Sequence, residues 1–259
     1  MTLAIQRVRS KWAKTKVLNR ASDLRQYVPH TKRFNRETLR SMLDEYEMVY
    51  VKPDSGTFGK GVIRVEKTSE PSQGYRYQIQ KDGRFAATFD VLYEGLQRYT
   101  GKKGYLIQKG VHLLKHQKRR FDIRVMVQKN LQNKWETTAI IGRLSAPRNV
   151  VTNYHSGGTI MTFEKLMSAH LSPAEISAYS SRLKKLGTAI GRQLSTAYPN
   201  LKELGADVAI DTKLHPWVLE VNTKPHPYIY KILSDKSIYR KVRKYSLAYG
   251  GMKAKSSGR

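Results

Sequence analysis

The sequence predicts an α+β protein of two lobes. Strand-like runs follow one another closely with tight connections, so antiparallel hairpins dominate. The strand–helix alternation of a doubly wound parallel sheet is absent. One long amphipathic helix and several shorter helical stretches separate the strand groups. The lobes are expected to join near residues 106–115. This divides the chain into a basic N-terminal segment over 1–20, a first lobe over 21–105, a second lobe over 106–249 and a disordered tail over 250–259.

Each element has a local reason. Residues 1–20 are basic and read as helical, with Leu18 as apolar anchor. RETLRSMLDEYE, 36–47, places Leu39 and Leu43 one helical turn apart. VYVKP, 49–53, is a strand stopped by Pro53, and GVIRVEK, 61–67, is its hairpin partner across the loop DSGTFGKG. YRYQIQ, 75–80, alternates as a strand, and residues 90–99 read as a helix. YLIQKGV, 105–111, is a short strand leading into a basic linker, LLKHQKRR. FDIRVMVQ, 121–128, and TTAIIGRLSA, 137–146, are strand-like, and NYHSGG, 153–158, is a loop. Ser172-Pro173-Ala174-Glu175 fits a capping box with proline at the first helical position. Ile176, Tyr179, Leu183, Leu186, Ile190 and Leu194 then extend a helix to about residue 197. ADVAID, 206–211, and PWVLEVN, 216–222, are strands around the turn Thr212–His215.

Composition narrows the class. The 259 residues suffice for a sizeable core, and 39% apolar with 26% charged residues excludes a disordered chain. Lys plus Arg number 48 against 20 Asp plus Glu, a net charge of +28, which predicts anionic partners. The absence of cysteine excludes disulfides, thiolate catalysis and thiolate-bound zinc. No apolar run approaches the ~20 residues of a membrane span. The start lacks the apolar stretch of a signal peptide, so a cytoplasmic location is the default expectation.

The hairpin ADVAIDTKLHPWVLEVNTKP is the most informative segment. With a four-residue turn at 212–215, Asp211 faces Pro216, Ala209 faces Val218 and Asp207 faces Glu220. Period two puts Asp207, Glu220 and Asn222 on one face and Val208, Ile210, Leu219 and Val221 on the other, against the core. Opposed carboxylates have Cβ atoms ~5 Å apart and repel unless a cation lies between them. Their hard oxygens suit Mg²⁺, which takes phosphate oxygens for its remaining ligands. A solvated hairpin face, with one carboxylate paired to a lysine, is the competing reading.

SGTFGKG holds Gly56, Gly59 and Gly61 in neither the Rossmann nor the Walker spacing. Its backbone, with Ser55 and Thr57, still permits close approach to phosphate, and Lys60 and Lys52 supply charge. A flexible hairpin loop on a basic surface accounts for it equally. Arg124 lies two residues after Asp122 on one strand face, where it either forks onto phosphate or pairs with that aspartate. Arg143, Asn153 and Gly157–Gly158 are candidates for the same cleft. His155 lacks a second histidine at ligand spacing, and the basic surroundings of His112 and His116 argue against a cation site.

In their order these pieces resemble the ATP-grasp superfamily: a V-K-P strand, a glycine loop, an inter-lobe strand, a D-x-R strand, an N-x-x-x-G-G loop, then D…E-x-N. The Asp207–Glu220 spacing and LEVNTKP look like the metal-binding end of D-alanine–D-alanine ligases. SKWAKTKVL, YVPHT, VYVKPDSGTFGKGV, YLIQKGV, RFDIRVMVQ, VTNYHSGG and HPWVLEVNTKPHP are more closely similar to the YheC/YheD-type endospore coat-associated proteins, over about residues 10–232. The resemblance implies an ATP-grasp fold, two α+β lobes with ATP between them and Mg²⁺ beside it. It implies that Lys52 contacts phosphates under a lid formed by Ser55, Gly56, Thr57, Gly59, Lys60 and Gly61. Gln108, Lys109, Gly110 and Val111 would line the adenine pocket, with Arg143 and Asn153 nearby. Arg124 would hold phosphate or an acyl phosphate, and Asp207, Glu220 and Asn222 would hold Mg²⁺. Lys11 would match the upstream phosphate lysine.

Two departures accompany the resemblance. The junction strand shows Gln108-Lys109 where many members carry an acidic residue for the ribose. Only about 45 residues precede the V-K-P strand, too few for the α/β domain that usually helps bind the acceptor. The first expected function is an ATP- and Mg²⁺-dependent ligase that joins a carboxylate to an amine through an acyl phosphate. Its substrate would be spore-associated or polyanionic. The alternatives are a phosphotransferase with a hydroxyl acceptor and a non-catalytic spore-associated protein that binds ATP or other anions. Neither a membrane nor a sequence-specific nucleic acid is an expected partner.

Overall fold

The computed structural model describes residues 4–57, 59–68, 74–146 and 157–253. An extended segment at 4–10 leads into helices α1 (Lys11–Asn19) and α2 (Ser22–Arg25). The expected N-terminal helix is therefore confined to its second half. Helix α1 starts where it does because the Ser10 side chain accepts from the Ala13 N–H, a cap that contributes ~1 kcal/mol.

The first lobe is one antiparallel sheet of β1 (Thr31–Arg33), β2 (Met48–Pro53), β3 (Ile63–Lys67), β4 (Tyr75–Ile79), β5 (Asp82–Ala86) and β6 (Tyr105–Lys109). Its order is β1-β6-β2-β3-β4-β5. Helices α3 (Arg36–Glu45) and α4 (Phe89–Thr100) cover one face. A capping box between Asn35 and Thr38 sets the start of α3. Its stripe Leu39, Met42 and Leu43 then buries against Val49, Val51 and Ile107. Each such side chain contributes ~1.5–3 kcal/mol.

The second lobe holds β7 (Lys115–His116), β8 (Arg119–Lys129), β9 (Trp135–Leu144), β10 (Thr159–Thr162), α5 (Phe163–Met167), α6 (Pro173–Ala197), β11 (Glu203–Ile210) and β12 (Pro216–Asn222). A 3-10 helix (Pro227–Ile232) and α7 (Lys236–Ala248) follow. The sheet runs β10-β9-β8-β11-β12, with β7 on the end of β8. Phe121, Ile123, Val125 and Val127 alternate onto the face covered by α6. Gly187 and Gly191 let α6 approach this closely: a Cβ at Gly187 would meet Val125 Cγ1 at 2.9 Å, and one at Gly191 would meet the Trp135 ring at 2.7 Å. The opposite face is divided. Met126, Ala139 and Ile141 pack under the 3-10 helix and α7, while the rest carries charge.

Several expectations shift. Residues 105–109 are a strand of the first sheet, so the chain crosses to the second lobe only after Lys109. Val17 and Leu18 of the N-terminal segment, and Leu24 from the start of the expected first lobe, lie in the second lobe's core. LLKHQKRR is no linker: Leu113 bridges Asp211, and β7 turns back onto β8 through Gln117 and Lys118, both at positive φ. The short strands β1, β5 and β10 and the helix α5 are too short to show apolar periodicity, whereas α7, with Ile238, Tyr239 and Val242 on one face, is amphipathic and was within reach of the sequence. In the expected tail, Gly251 and Met252 donate to the Ser246 carbonyl, and residues 254–259 lie outside the described ones.

Candidate active site

The site is built on the charged face of the second sheet. Asp122 and Arg124 lie two residues apart on β8. The register sets Asp122 opposite Arg143 on β9 and Arg124 opposite Asp207 on β11. Asp207 in turn faces Glu220 on β12. Two adjacent rows on one sheet face, Arg143–Asp122 and Arg124–Asp207–Glu220, thus assemble the cluster across four strands. Arg143 forks onto Asp122, with Nε at 2.8 Å from Oδ1, and reaches Asp207 Oδ2 at 3.1 Å. Arg124 donates through Nε to Asp207 Oδ1. Gly205 makes room for Arg124, because a Cβ there would meet its Nη1 at 3.0 Å. All four charged side chains are buried. Burial pushes the Asp207 carboxyl up, but Arg124 and Arg143 outweigh it and hold it below the ordinary range. Asp122 therefore pairs with Arg143 across the sheet and leaves its strand neighbour Arg124 to Asp207.

The opposed carboxylates are where the spacing placed them. The rest of the hairpin differs by one residue. Ile210, not Asp211, faces Pro216, and Val208, not Ala209, faces Val218. The Asp211 carboxylate instead closes the turn by accepting from the Lys213 and His215 N–H groups. The register is restored at a bulge between Asp207 and Val208, which leaves Leu219 unpaired. Leu219 consequently leaves the core for the cleft, and its carbonyl accepts from Lys52 Nζ at 2.9 Å.

Lys52, on β2, crosses from the first lobe to this carbonyl and also donates to Gln108 Oε1 at 2.7 Å. Gln108 is fixed by Thr31 Oγ1, which accepts from its Nε2 at 3.0 Å. Gln108 therefore orients the lysine besides lining the cleft. Burial brings the Lys52 pKa down to about 8, against the attraction of Glu220. Lys14, which the sequence did not single out, is also brought down to about 8 by burial, and donates to the Val8 carbonyl. Lys11 donates to the Gly56 carbonyl at 3.2 Å and sits 3.7 Å from Glu220. Asp54 ties this together by accepting from Ser10 Oγ and from the Trp12 N–H.

At the junction, Lys109 and Val111 line the cleft, with the Lys109 ammonium 5.0 Å from the Tyr46 ring centroid and 5.4 Å from that of Trp217. Gly110 is turned away from it. Its N–H donates to Met48, and a Cβ would meet Met48 Cε at 2.5 Å. In the glycine loop, Gly56, Thr57, Gly59 and Lys60 line the cleft. Ser55 is exposed and does not, and Gly61, at φ 79°, packs toward Tyr105 and Pro53. Asn153 lies outside the described residues, as do Phe58 and His155. Two connected spaces result. A narrow one of about 120 Å³ lies between Tyr50, Lys52, Gln108, Val111 and Leu219. A wider one of about 720 Å³ extends past Glu220 and Asn222 to Lys224, Tyr228 and Lys253. Gly59, Val62, Arg143, Asp207 and Glu220 border both.

The profile of the YheC/D like ATP-grasp family matches residues 2–252. The chain belongs to that family. It is 25% identical over 211 residues to the endospore coat-associated protein YheD of Bacillus subtilis (strain 168), covering 76% of this chain and 45% of YheD. It is 24% identical over 218 residues to YheC of the same organism, covering 83% of this chain and 59% of YheC. The chain thus spans about half the length of these curated relatives. Among solved structures, the D-alanine-D-alanine ligase from Coxiella burnetii superposes with a TM-score of 0.52 at 12% identity, over 92% of this chain and 56% of that one. The N5-carboxyaminoimidazole synthetase from Staphylococcus aureus, complexed with ADP, does so at 0.51 and 11%, over 95% and 52%. The ATP-grasp ligase PsnB, complexed with a minimal precursor, does so at 0.52 and 12%, over 91% and 60%. These likenesses are of fold, and the fold is ATP-grasp.

The chemistry of the donor set fits the Mg²⁺ of such a fold, although no uncompensated repulsion between the carboxylates calls for a cation. The facing carboxylates are compensated by Arg124, Arg143 and Lys11. Among the described residues no three His, Cys, Asp or Glu side chains form a group able to hold a metal ion by themselves. What Asp207, Glu220 and Asn222 offer at the border of the two spaces is two carboxylates and an amide. Asn222 donates its Nδ2 to Asp207 Oδ2 at 3.4 Å, which leaves its Oδ1 available. That hard set suits an ion that takes its other ligands from phosphate and water. Tyr230, which the sequence did not single out, is fully buried beside this cluster, and its hydroxyl has no hydrogen-bond partner among the described residues. No helix among the described residues is long and apolar enough to cross a membrane.

Proposed function

We propose that this ATP-grasp protein is an ATP- and Mg²⁺-dependent ligase that couples a carboxylate to an amine. The observation that carries the reading is the convergence of Lys52, Lys11 and Arg124 on one cleft from three separate elements. Lys52 keeps one ammonium proton beyond its two bonds, and Arg124 keeps both terminal nitrogens beyond its bond to Asp207. These groups would hold phosphate oxygens in place, under Gly56, Thr57, Gly59 and Lys60. Arg143, with both sides engaged by aspartates, would position Arg124 through Asp207. Mg²⁺ held by Glu220 and Asn222 with Asp207 would screen the phosphate charge.

The acceptor carboxylate oxygen would bond to the γ-phosphorus as its bond to the β–γ bridging oxygen breaks, releasing ADP. An amine nitrogen would then bond to the acyl carbon, lose a proton to solvent and release inorganic phosphate. Lys52, Lys11 and Arg124 would supply position and charge rather than covalent chemistry. The names of the relatives make the spore coat the first place to seek the substrate.

Lys52→Met tests the site. It removes a buried ammonium, so the fold should persist. The stabilisation by Mg·ATP, ~2.7 kcal/mol at a hundredfold excess over Kd for the unsubstituted protein, should fall to near zero in thermal melts. A full shift in Lys52→Met would remove the lysine from the site. A stable phosphorylated product without free phosphate would replace ligation by phosphotransfer.

A further inference from the structure

We infer that the wide half of the cleft takes an acidic peptide, which runs out over the 3-10 helix onto α7. The inference rests on the ligase reading for the chemistry at the peptide's reactive carboxylate, and on charge for the docking. Seven cationic side chains line the wide space against three carboxylates. The three are already paired: Glu203 with Arg7, Asp207 with Arg124 and Arg143, and Glu220 with Lys11. Lys224 and Lys253 have no carboxylate within ion-pair distance among the described residues. Both are exposed, and neither borders the narrow space at the lobe junction. A nucleotide reaching from that junction to Glu220 would therefore leave them unmatched.

The positive charge continues outward. Tyr228 lines the wide space, and the Lys231 ammonium sits 5.2 Å from its ring and 5.4 Å from that of Tyr239 on α7. Lys236 and Arg243, a turn to either side of Tyr239, are exposed on a helix that contains no acidic residue. A small acceptor would use none of this track, whereas an extended chain of carboxylates matches it along its length. Nucleic acid fits less well. Tyr228 is half-exposed, but the Lys231 ammonium already lies over one face of its ring and of the Tyr239 ring, which leaves fewer faces for base stacking.

The test is fluorescence anisotropy with labelled deca-glutamate at physiological salt, with unlabelled deca-thymidylate as competitor. Saturable binding is expected, with weak competition by the oligonucleotide. The surface double variant Lys224→Glu/Lys253→Glu should weaken it by about tenfold or more. Lys236→Glu/Arg243→Glu should weaken it by a smaller factor. The Mg·ATP melting shift should be unchanged in both. No binding, binding untouched by Lys224→Glu/Lys253→Glu, or displacement of the peptide by equimolar oligonucleotide would overturn the inference. Peptide binding as expected in a protein that shows no Mg·ATP shift would support the docking site and sink the ligase reading instead.

Discussion

The floor and the roof of the cleft are held by different physics. The floor is four strands whose register sets Arg143, Asp122, Arg124, Asp207 and Glu220 side by side, with every charge buried or paired. The roof is the loop between β2 and β3. It turns on Gly56, Gly59 and Gly61 at positive φ, and Lys11 reaches it only at the Gly56 carbonyl. The floor is therefore pre-organised, because moving any one side chain strands a buried charge. We propose that the roof opens, because Gly56, Thr57 and Lys60 are exposed in it.

The largest expected effect breaks the floor. Asp207→Ala leaves Arg124 buried without its counter-charge and should lose about 3–5 kcal/mol in urea denaturation. A loss below about 1 kcal/mol would mean that the pairs are solvated, and the contrast with the roof would collapse.

The next effect is a pH dependence. Burial holds Lys52 and Lys14 at about 8, below their ordinary 10.5. Between those values the unfolded chain binds more protons than the folded one. The burial penalty is thus complete below pH 8, and stability should rise from pH 8 toward 10.5. The slope contributed is at most ~1.4 kcal/mol per pH unit for each lysine. Measured against the unsubstituted protein, Lys14→Met should remove one such slope. Nucleotide affinity should fall above pH 8 as Lys52 loses its proton, which titration calorimetry would detect. Equal pH profiles for the two proteins would place Lys14 in water.

Glu220→Gln sharpens the comparison at the border between floor and roof. The sequence alone suggests that removing this carboxylate relieves repulsion. The structure reverses the sign, since Glu220 faces Lys11 and supports the charge on Lys52. The variant should lose up to ~1 kcal/mol without ligand, and most of the Mg²⁺-dependent part of the ATP shift. A higher melting point without ligand would restore the repulsion argument.

The smallest effect is on the roof. Thr57→Ala should stay within ~0.5 kcal/mol of the parent, because its side chain is exposed. Amide exchange over 54–57 and 59–61 should still slow when Mg·ATP is added. Unchanged exchange at saturating nucleotide would leave the loop no closing role.

The sequence by itself determined what local rules control. Period two put Asp207, Glu220 and Asn222 on one face, and the capping box and apolar spacing defined α6 almost to the residue. Helix α7 was legible by the same rule, since Ile238, Tyr239 and Val242 share one face and Asp235 caps its start. Tertiary structure alone decided the electrostatics. Arg124 and Asp207 are 83 residues apart in sequence, and Lys52 and the Leu219 carbonyl 167 apart. Local spacing carries no information about such pairs. The bulge that turns Leu219 toward Lys52 was equally hidden, because it offsets, at Asp207–Val208, the one-residue shift set where Asp211 leaves the ladder to close its turn. A strand's period says which face a carboxylate occupies. Whether that carboxylate meets a metal, an arginine or water depends on which strands are laid beside it.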